Sequence, residues 1–177
     1  MEQIALRMSE LEHSSATDST AIRHQLIDLM DRYQQPLSNY VTMMVRDHDL
    51  ALDCVQDTFL RAYQHLQKGK PISSGWLWTV ARNRALDEIK RRNRIRSDYD
   101  GWDEMQDTTL AETDRTHAVR RALAQLPDED REILHLFIVD RFQAKEIGAM
   151  LKIRPEAVRM RIMRARKRFR AIYGDEP

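Results

Sequence analysis

The sequence predicts an all-α protein made of two small helical domains. Apolar residues recur at the three- and four-residue spacing of a helix in several separate stretches. No stretch alternates apolar and polar residues as a half-buried strand would. An acidic segment without periodicity separates the two groups of helical stretches and is typical of a linker. The predicted organisation is a mobile N-terminal tail at 1–20, a first domain at 21–95, a flexible acidic linker at 96–116 and a second domain at 117–177.

The first domain is predicted to contain three helices. The first follows an apolar stripe through residues 22–45, in which Pro36 is expected to cause a kink or a break. The second covers about 49–66. The third follows a loop rich in Gly and Lys, and Ser73 or Ser74 can cap its first turn. Because each helix has one apolar stripe, the three can close one core.

The second domain is predicted to end in a helix-turn-helix. One helix begins near residue 116 and stops at Pro127, and another covers about 128–139. A short amphipathic helix at 145–151 follows. After a break of three residues, Pro155 occupies the first position of a longer helix, where its missing N–H has no partner to lose. This arrangement is that of a helix-turn-helix, whose second helix enters the DNA major groove.

The last helix is strongly basic. Residues 154–170 carry eight Lys or Arg and one acid, Glu156. Val158, Ile162 and Phe169 recur at helical spacing, so one stripe can pack on a core while cations cover the rest. A basic amphipathic helix alone is also typical of a solvated face, a membrane surface or a calmodulin target. The short helix and turn before it favour DNA binding.

Charge is unevenly distributed although the net charge is only +1. Residues 82–96 carry seven cations against two acids, whereas residues 98–114 carry seven acids and no Lys or Arg. The first residues lack the apolar core of a signal peptide, and no run is long enough to span a membrane, so we expect a cytoplasmic protein without membrane insertion. Cys54 is the single cysteine, which excludes an intrachain disulfide and favours a buried structural thiol over a redox switch.

The residue pattern argues against an enzyme. The acids of residues 98–104 do not fit a calcium loop, because Gly101 falls at the fourth position rather than the sixth. The sequence contains no Gly-rich phosphate loop, no metal-ligand His pair and no nucleophile motif. We therefore expect no catalytic residue, no bound metal and no cofactor. The acidic segment is either a mimic of nucleic acid or a solvated spacer.

Four runs carry a family resemblance. They are DLALDCVQDTFLRAYQHL at 49–66, GWLWTVARNRALDEIKRR at 75–92, LAQLPDEDREILHLFIV at 123–139 and KEIGAMLKIRPEAVRMRIMRARKRF at 145–169. In their order and spacing these runs closely resemble bacterial RNA polymerase sigma factors of the extracytoplasmic-function (ECF) type. Two local departures are Gln143, where the family usually has a capping Ser or Thr, and Arg154, where Ser usually begins the recognition helix.

The resemblance implies a promoter-specificity factor with two sigma domains joined by a flexible linker. Its partners would be core RNA polymerase, promoter DNA as duplex and as single strand, and an anti-sigma factor. The run at 49–66 would dock on the clamp helices of the largest polymerase subunit. The residues expected to bind polymerase are Asp53, Gln56, Asp57 and Arg61. A merely solvated acidic face is the alternative for this helix.

The run at 75–92 matches the segment that captures the melted minus-ten element as a single strand. The expected minus-ten residues are Trp78, Arg82, Asn83, Asp87, Lys90, Arg91 and Arg94. Amides and carboxylates can hydrogen-bond an extruded base, and the cations can hold phosphates. Trp76 and Trp78 are either stacking platforms or part of the core.

The last helix matches the segment that reads the minus-thirty-five duplex. The expected residues are Lys145, Arg154, Glu156, Arg159, Met160, Met163, Arg164, Lys167 and Arg168. Because Val158 points inward, Glu156, Arg159, Met160 and Met163 are placed to read bases, and the later cations to contact phosphate. The two methionines are also suited to the polymerase flap or an anti-sigma partner.

One function from another class stays open, a free-standing helix-turn-helix regulator whose first domain dimerises or senses a ligand. Such a regulator would footprint its operator without polymerase. For a sigma factor we expect a nucleoid location when bound to polymerase, or retention at the membrane by an anti-sigma partner.

Overall fold

A computed structural model of the protein describes residues 2–97 and 114–174, with side chains for 19–94 and 118–174. These residues form seven α-helices and one π-helical segment. They are α1 (Glu2–Val45), α2 (His48–Gln67), α3 (Ser74–Ser97), α4 (Asp114–Ala124), α5 (Asp128–Leu134), the π segment (His135–Val139), α6 (Ala144–Leu151) and α7 (Pro155–Gly174). The part of the chain described contains no strand, which confirms the all-α prediction. The acidic segment 98–113 and the side chains of the N-terminal tail lie outside the described residues.

Helix α1 continues through Pro36 without the break that the sequence allowed. Its later turns bury Leu37, Tyr40 and Val41 completely against α2 and α3. The helix ends at Val45, because the next residue adopts a left-handed conformation. The tertiary contacts of this apolar stripe hold the helix together across the proline.

Helix α2 begins one residue before the predicted start. Asp47 is its N-cap, and its carboxylate accepts a hydrogen bond from the backbone N–H of Leu50 at 2.9 Å. The buried face contains Val55 and Phe59. Cys54 is fully buried, and burial raises the pKa of its thiol, so the structural interpretation of this cysteine is confirmed.

Helix α3 also starts as the sequence indicated. The hydroxyl of Ser73 accepts a hydrogen bond from the backbone N–H of Trp76 at 3.2 Å, which identifies the capping serine. Leu77, Ala81 and Ala85 are fully buried between α1 and α2. The three helices of the first half therefore enclose one core.

In the second half, Arg131 joins α4 to α5. Its guanidinium donates to the backbone carbonyls of Leu123, Ala124 and Leu126 at 2.8 to 3.0 Å, which satisfies the last carbonyls of α4. The prediction of one α-helix over 128–139 was wrong in its second part, because the α-helix ends at Leu134 and a π-helical segment follows. Such a wider turn shifts the side chains that follow it.

The two halves pack against each other. Helix α3 of the first half contacts α6 of the second half, and α1 contacts α5. The buried apolar residues of both halves form one continuous cluster. No described helix is long and apolar enough to cross a membrane.

Candidate nucleic-acid interface

The turn between α6 and α7 depends on a close backbone approach at Gly148. Its carbonyl accepts a hydrogen bond from the backbone N–H of Ile153 at 3.0 Å. A Cβ added at Gly148 would lie only 2.7 Å from the carbonyl oxygen of Ile153. Lys152, in a left-handed conformation, ends α6 between these two residues. Glycine is thus required at 148, because a side chain there would prevent the close backbone contact that forms the short turn between α6 and α7.

The start of α6 has a cap despite the departure at Gln143. The carboxylate of Glu146 accepts a hydrogen bond from the backbone N–H of Gln143 at 2.7 Å. This is the reciprocal half of a capping box, in which the third helical residue reaches back to the N-cap. The missing Ser or Thr therefore leaves the helix start intact.

Helix α7 separates its faces as predicted. Val158, Ile162 and Ala165 are buried. All residues expected to face minus-thirty-five DNA are exposed, namely Lys145, Arg154, Glu156, Arg159, Met160, Met163, Arg164, Lys167 and Arg168. Met160 and Met163 are 47% and 57% exposed, which is unusual for such large apolar side chains. The face can therefore offer both charged and apolar contacts to a partner.

Several cations of α7 form ion pairs or cation–π contacts with side chains of α5 and the π segment. Arg168 forms an ion pair with Asp130, a buried carboxylate of α5. Arg161 pairs with Glu129 at 3.0 Å, and the guanidinium of Arg166 lies 5.1 Å from the ring centroid of Phe137. On the early turns, Arg159 pairs only with its own helix neighbour, Glu156, at 3.3 Å. Early and late cations thus have different environments.

The outer face of α3 exposes five of the seven residues expected to contact minus-ten DNA. These are Asn83, Asp87, Lys90, Arg91 and Arg94. The guanidinium of Arg91 pairs with Glu88 at 2.7 Å, and this contact and the Glu88–Arg84 pair lower the pKa of the Glu88 carboxyl. The amide of Asn83 and the carboxylate of Asp87 lie one turn apart and are accessible.

The other two residues, Trp78 and Arg82, face the second half of the molecule. Trp78 is only 3% exposed, and its indole N–H donates to Oδ2 of Asp140 at 2.8 Å. Its ring packs edge-on against Tyr33 and Phe142, with centroids 5.7 and 5.1 Å apart. In this arrangement Trp78 is a core residue, while its role on DNA stays a prediction. The ring of the neighbouring Trp76 instead lies tilted against the ring of His65, with the two centroids 4.6 Å apart.

Glu132 collects three hydrogen bonds from the first half. Its Oε1 accepts from the hydroxyl of Tyr40 at 2.7 Å and from Nε of Arg82 at 2.7 Å, and its Oε2 accepts from Nη2 of Arg82 at 3.2 Å. Burial and the anionic Glu132 raise the pKa of the Tyr40 hydroxyl. Burial alone would lower the pKa of Arg82, but the bonds to Glu132 outweigh it and raise that pKa. The hydroxyl of Tyr40 therefore stays neutral and the guanidinium of Arg82 stays charged near neutral pH.

A second titratable pair lies beside Trp78. Nε2 of His135 is 3.6 Å from Oδ2 of Asp140 and has no hydrogen-bond partner among the described residues. Burial lowers the pKa of His135 to about 4. Burial raises the pKa of Asp140 to about 6, although the hydrogen bond from Trp78 opposes this change. Neither residue was predicted from the sequence, because nothing in the run at 123–139 marks His135 as buried beside a carboxylate, and Asp140 falls just after that run.

The face of α2 expected to bind polymerase is accessible and partly preorganised. Asp53, Gln56 and Arg61 are exposed, and Asp57 is half-buried between Arg61 at 2.9 Å and Arg84 of α3 at 3.4 Å. Leu60 lies on the same face and is 56% exposed. The sequence analysis missed Leu60, although its spacing of four from Gln56 could have revealed it.

Among the described residues, no group of His, Cys, Asp and Glu could hold a metal ion. The acidic residues 98–104, considered above as a calcium loop, lie outside the described residues.

Comparison with known proteins agrees with this geometry. Residues 29–95 match Sigma-70 region 2, and residues 116–169 match Sigma-70 region 4. The chain is 30% identical to the RNA polymerase sigma factor CarQ of Myxococcus xanthus, over 84% of this chain and 88% of that protein. It is 27% identical to the ECF RNA polymerase sigma factor SigM of Bacillus subtilis, over 83% of this chain and 94% of that protein.

The fold is similar to that of the sigma factor RpoE from Bartonella quintana, whose structure was solved in complex with the anti-sigma factor NepR. The TM-score is 0.70 at 22% sequence identity, with 88% of this chain and 98% of that chain covered. At this identity the likeness concerns the fold alone.

Proposed function

This chain belongs to the ECF family of RNA polymerase sigma factors, and we propose that three described surfaces divide its work as a promoter-specificity factor. Helix α2 binds core polymerase through the face of Asp53, Gln56, Asp57 and Arg61, and the exposure of Leu60 on this face supports including it in the proposal. An apolar side chain within a polar face is typical of an interface centre, where it is desolvated on binding.

The outer face of α3 captures the melted minus-ten strand. The supporting observation is the row of exposed Asn83, Asp87, Lys90, Arg91 and Arg94. An amide and a carboxylate can read the edge of an unstacked base, and cations beside them can follow the phosphates.

The early turns of α7 read the minus-thirty-five duplex. Glu156, Arg159, Met160 and Met163 are exposed on the turns that enter the groove, and the glycine turn at 148 fixes how α7 leaves α6. Arg can pair with guanine, and Glu can accept from cytosine. Phosphate contacts come from the cations of this face, which are Lys145, Arg154, Arg164, Lys167 and Arg168. Of these, Arg168 also forms an ion pair with Asp130.

The single observation that carries this function is the presence, in sigma order, of a region-2-like half and a region-4-like half in one chain. A free-standing regulator finds no support, because its first half would not resemble a polymerase-binding region. The catalytic chemistry of transcription belongs to the polymerase. An anti-sigma factor that covers Met160 and Met163 is part of the proposal, by analogy with the RpoE–NepR complex. We also propose that the protein is cytoplasmic and is recruited to the nucleoid by polymerase.

Run-off transcription with purified core polymerase and genomic promoter fragments tests the proposal. We expect specific transcripts only when this chain is added. Asn83→Ala should reduce transcription from duplex promoters by about 5- to 150-fold, since a lost base contact costs about 1–3 kcal/mol. A template with a premelted bubble should restore most of that loss.

Asn93→Ala is the matched control, because Asn93 is an exposed amide on the same helix at a different angle. It should transcribe as the unaltered protein does. An absence of any promoter-specific transcript with competent core polymerase would contradict the proposed function.

A further inference from the structure

Five side chains from both halves form what is here called the interdomain cluster: Tyr40, Trp78, Arg82, Glu132 and Asp140. Its contacts join residues 50 to 92 positions apart in sequence. Tyr40, Trp78 and Glu132 are at most 8% exposed, and the side chain of Asp140 is 2% exposed. Each donor of the first half has a carboxylate acceptor from the second half, so the two surfaces are chemically complementary.

Two residues of the interdomain cluster, Trp78 and Arg82, are among those expected to contact minus-ten DNA. Arg82 cannot bind a phosphate while its guanidinium is paired with both oxygens of Glu132. Trp78 cannot stack on a base while it is enclosed by Tyr33, Phe142 and Asp140. The carboxylates of Glu132 and Asp140 thus give Arg82 and Trp78 the negative charge and acceptor atoms that a nucleic-acid strand would also offer.

The same packing involves the helix-turn-helix. Helix α6, which crosses the DNA backbone in this motif, packs on α3. A Cβ added at Gly75 of α3 would lie 3.5 Å from Cε of Met150 in α6. In the closed arrangement α6 therefore lies against α3, while the residues expected to contact minus-thirty-five DNA stay exposed.

The chemistry of the contact suits reversible opening. A buried ion pair contributes little net stability, because the cost of removing both charges from water offsets their attraction. It nevertheless specifies one arrangement, since displacing either partner alone leaves a buried charge unpaired. A polar contact between domains of one chain is typical of interfaces that open and close.

We propose that the interdomain cluster is an autoinhibitory contact, in which Glu132 and Asp140 act as an internal substitute for single-stranded DNA. This inference rests on the proposed function, because the withheld residues are those assigned to the minus-ten strand. Single-stranded DNA binds only the open form, so its apparent dissociation constant is raised by the fraction of molecules that are closed.

The test uses the full chain and two readouts. Fluorescence energy transfer between dyes at Gln34→Cys in α1 and Arg170→Cys in α7 reports the separation of the halves. Both positions are exposed, whereas Cys54 is fully buried and stays unlabelled. Binding of a fluorescent oligothymidylate to the unlabelled protein reports access to the strand-binding surface and requires neither a promoter nor polymerase.

Glu132→Gln should lower energy transfer and tighten oligothymidylate binding by about 5- to 150-fold, the usual range of coupling between two sites. Tyr40→Phe should change both readouts in the same direction but less, because it removes only the hydroxyl donor. Glu129→Gln is the matched control, since Glu129 loses the same charge on the same helix but is exposed and faces Arg161. It should leave energy transfer unchanged.

Unchanged energy transfer in both cluster variants would overturn the proposal. So would binding no tighter than that of Glu129→Gln. If circular dichroism shows that Glu132→Gln is unfolded, Tyr40→Phe decides by the same two criteria. Failure of the proposed function would instead appear as missing run-off transcripts, with these two readouts unaffected.

Discussion

Helices α7 and α3 share a sequence signature, a buried apolar stripe beside a basic outer face, but they differ in how far the outer face is exposed. We propose that α7 reads the minus-thirty-five duplex and that α3 binds the minus-ten strand. Every predicted contact residue of α7 is exposed. On α3, Trp78 and Arg82 are turned into the contact with the second half. The difference teaches that helical periodicity predicts which residues avoid a helix's own core, but not whether another domain covers them.

The largest expected effect concerns the covered part of α3, where His135 and Asp140 flank Trp78. The lowered pKa of His135 removes stability as the pH falls from 6.5 towards 4, because only the unfolded chain then binds a proton. The raised pKa of Asp140 adds stability as the pH falls from 6 towards 3.8, because the folded chain binds the proton first. Each contribution reaches about 3 kcal/mol, and the two nearly cancel.

Replacing either His135 or Asp140 should make the pH-dependent stability contribution of the remaining residue measurable. Relative to the unaltered protein, Asp140→Asn should lose stability between pH 7 and 4.5, and His135→Leu should gain it, as measured by urea unfolding at each pH. The comparison with the unaltered protein at the same pH removes the contributions of all other groups. Parallel pH profiles for all three proteins would show that the two groups do not titrate in this way.

A smaller effect is expected from the turn that orients α7. Gly148→Ala should destabilise the second half by about 1–3 kcal/mol, because the added Cβ would lie 2.7 Å from the Ile153 carbonyl oxygen. Binding of minus-thirty-five duplex should fall while binding of oligothymidylate by α3 does not. Gly174→Ala is the control, since a Cβ there meets nothing within 4 Å. Equal unfolding midpoints for the two variants would exclude a structural need for glycine at 148.

The smallest effect separates base reading from anchoring within α7. Arg159→Ala should relax the preference at one or two minus-thirty-five positions, because Arg159 is bound only to its exposed neighbour Glu156. Arg168→Ala should weaken binding to all sequences alike and lower the salt slope by about one unit. Competition with promoter variants at several salt concentrations measures both.

Arg168 also supports Asp130, so Arg168→Ala should lower the unfolding midpoint slightly, whereas Arg159→Ala should not. Equal losses on every promoter variant for both substitutions would assign specificity to Glu156, the methionines or DNA shape.

Much of the fold followed from local rules. The helix starts at Asp47 and Ser73, the stop at Pro127 and the break before Pro155 depend on residues next to each other in the chain. The exposed row on α7 followed from the position of Val158, since helical geometry fixes the direction of each side chain. Burial of Cys54 was expected because a lone cysteine favours a buried thiol over a redox switch.

Other features were not predictable in this way. Nothing in the spacing around Pro36 shows that tertiary contacts keep α1 continuous, or that the helix after Leu134 widens into a π segment.

The sequence by itself determined the helices, their apolar stripes, the helix-turn-helix and the chemical class of each outer face, because these depend on residues within a few turns of one another. Only the tertiary structure decided that Glu132 meets Tyr40 and Arg82, and that Asp140 meets Trp78. These partners lie 50 to 92 residues apart, and a single carboxylate in a helix carries no local sign of the cation it will face. Contacts of that kind depend on how two surfaces fit, which is a property of the folded molecule rather than of any segment.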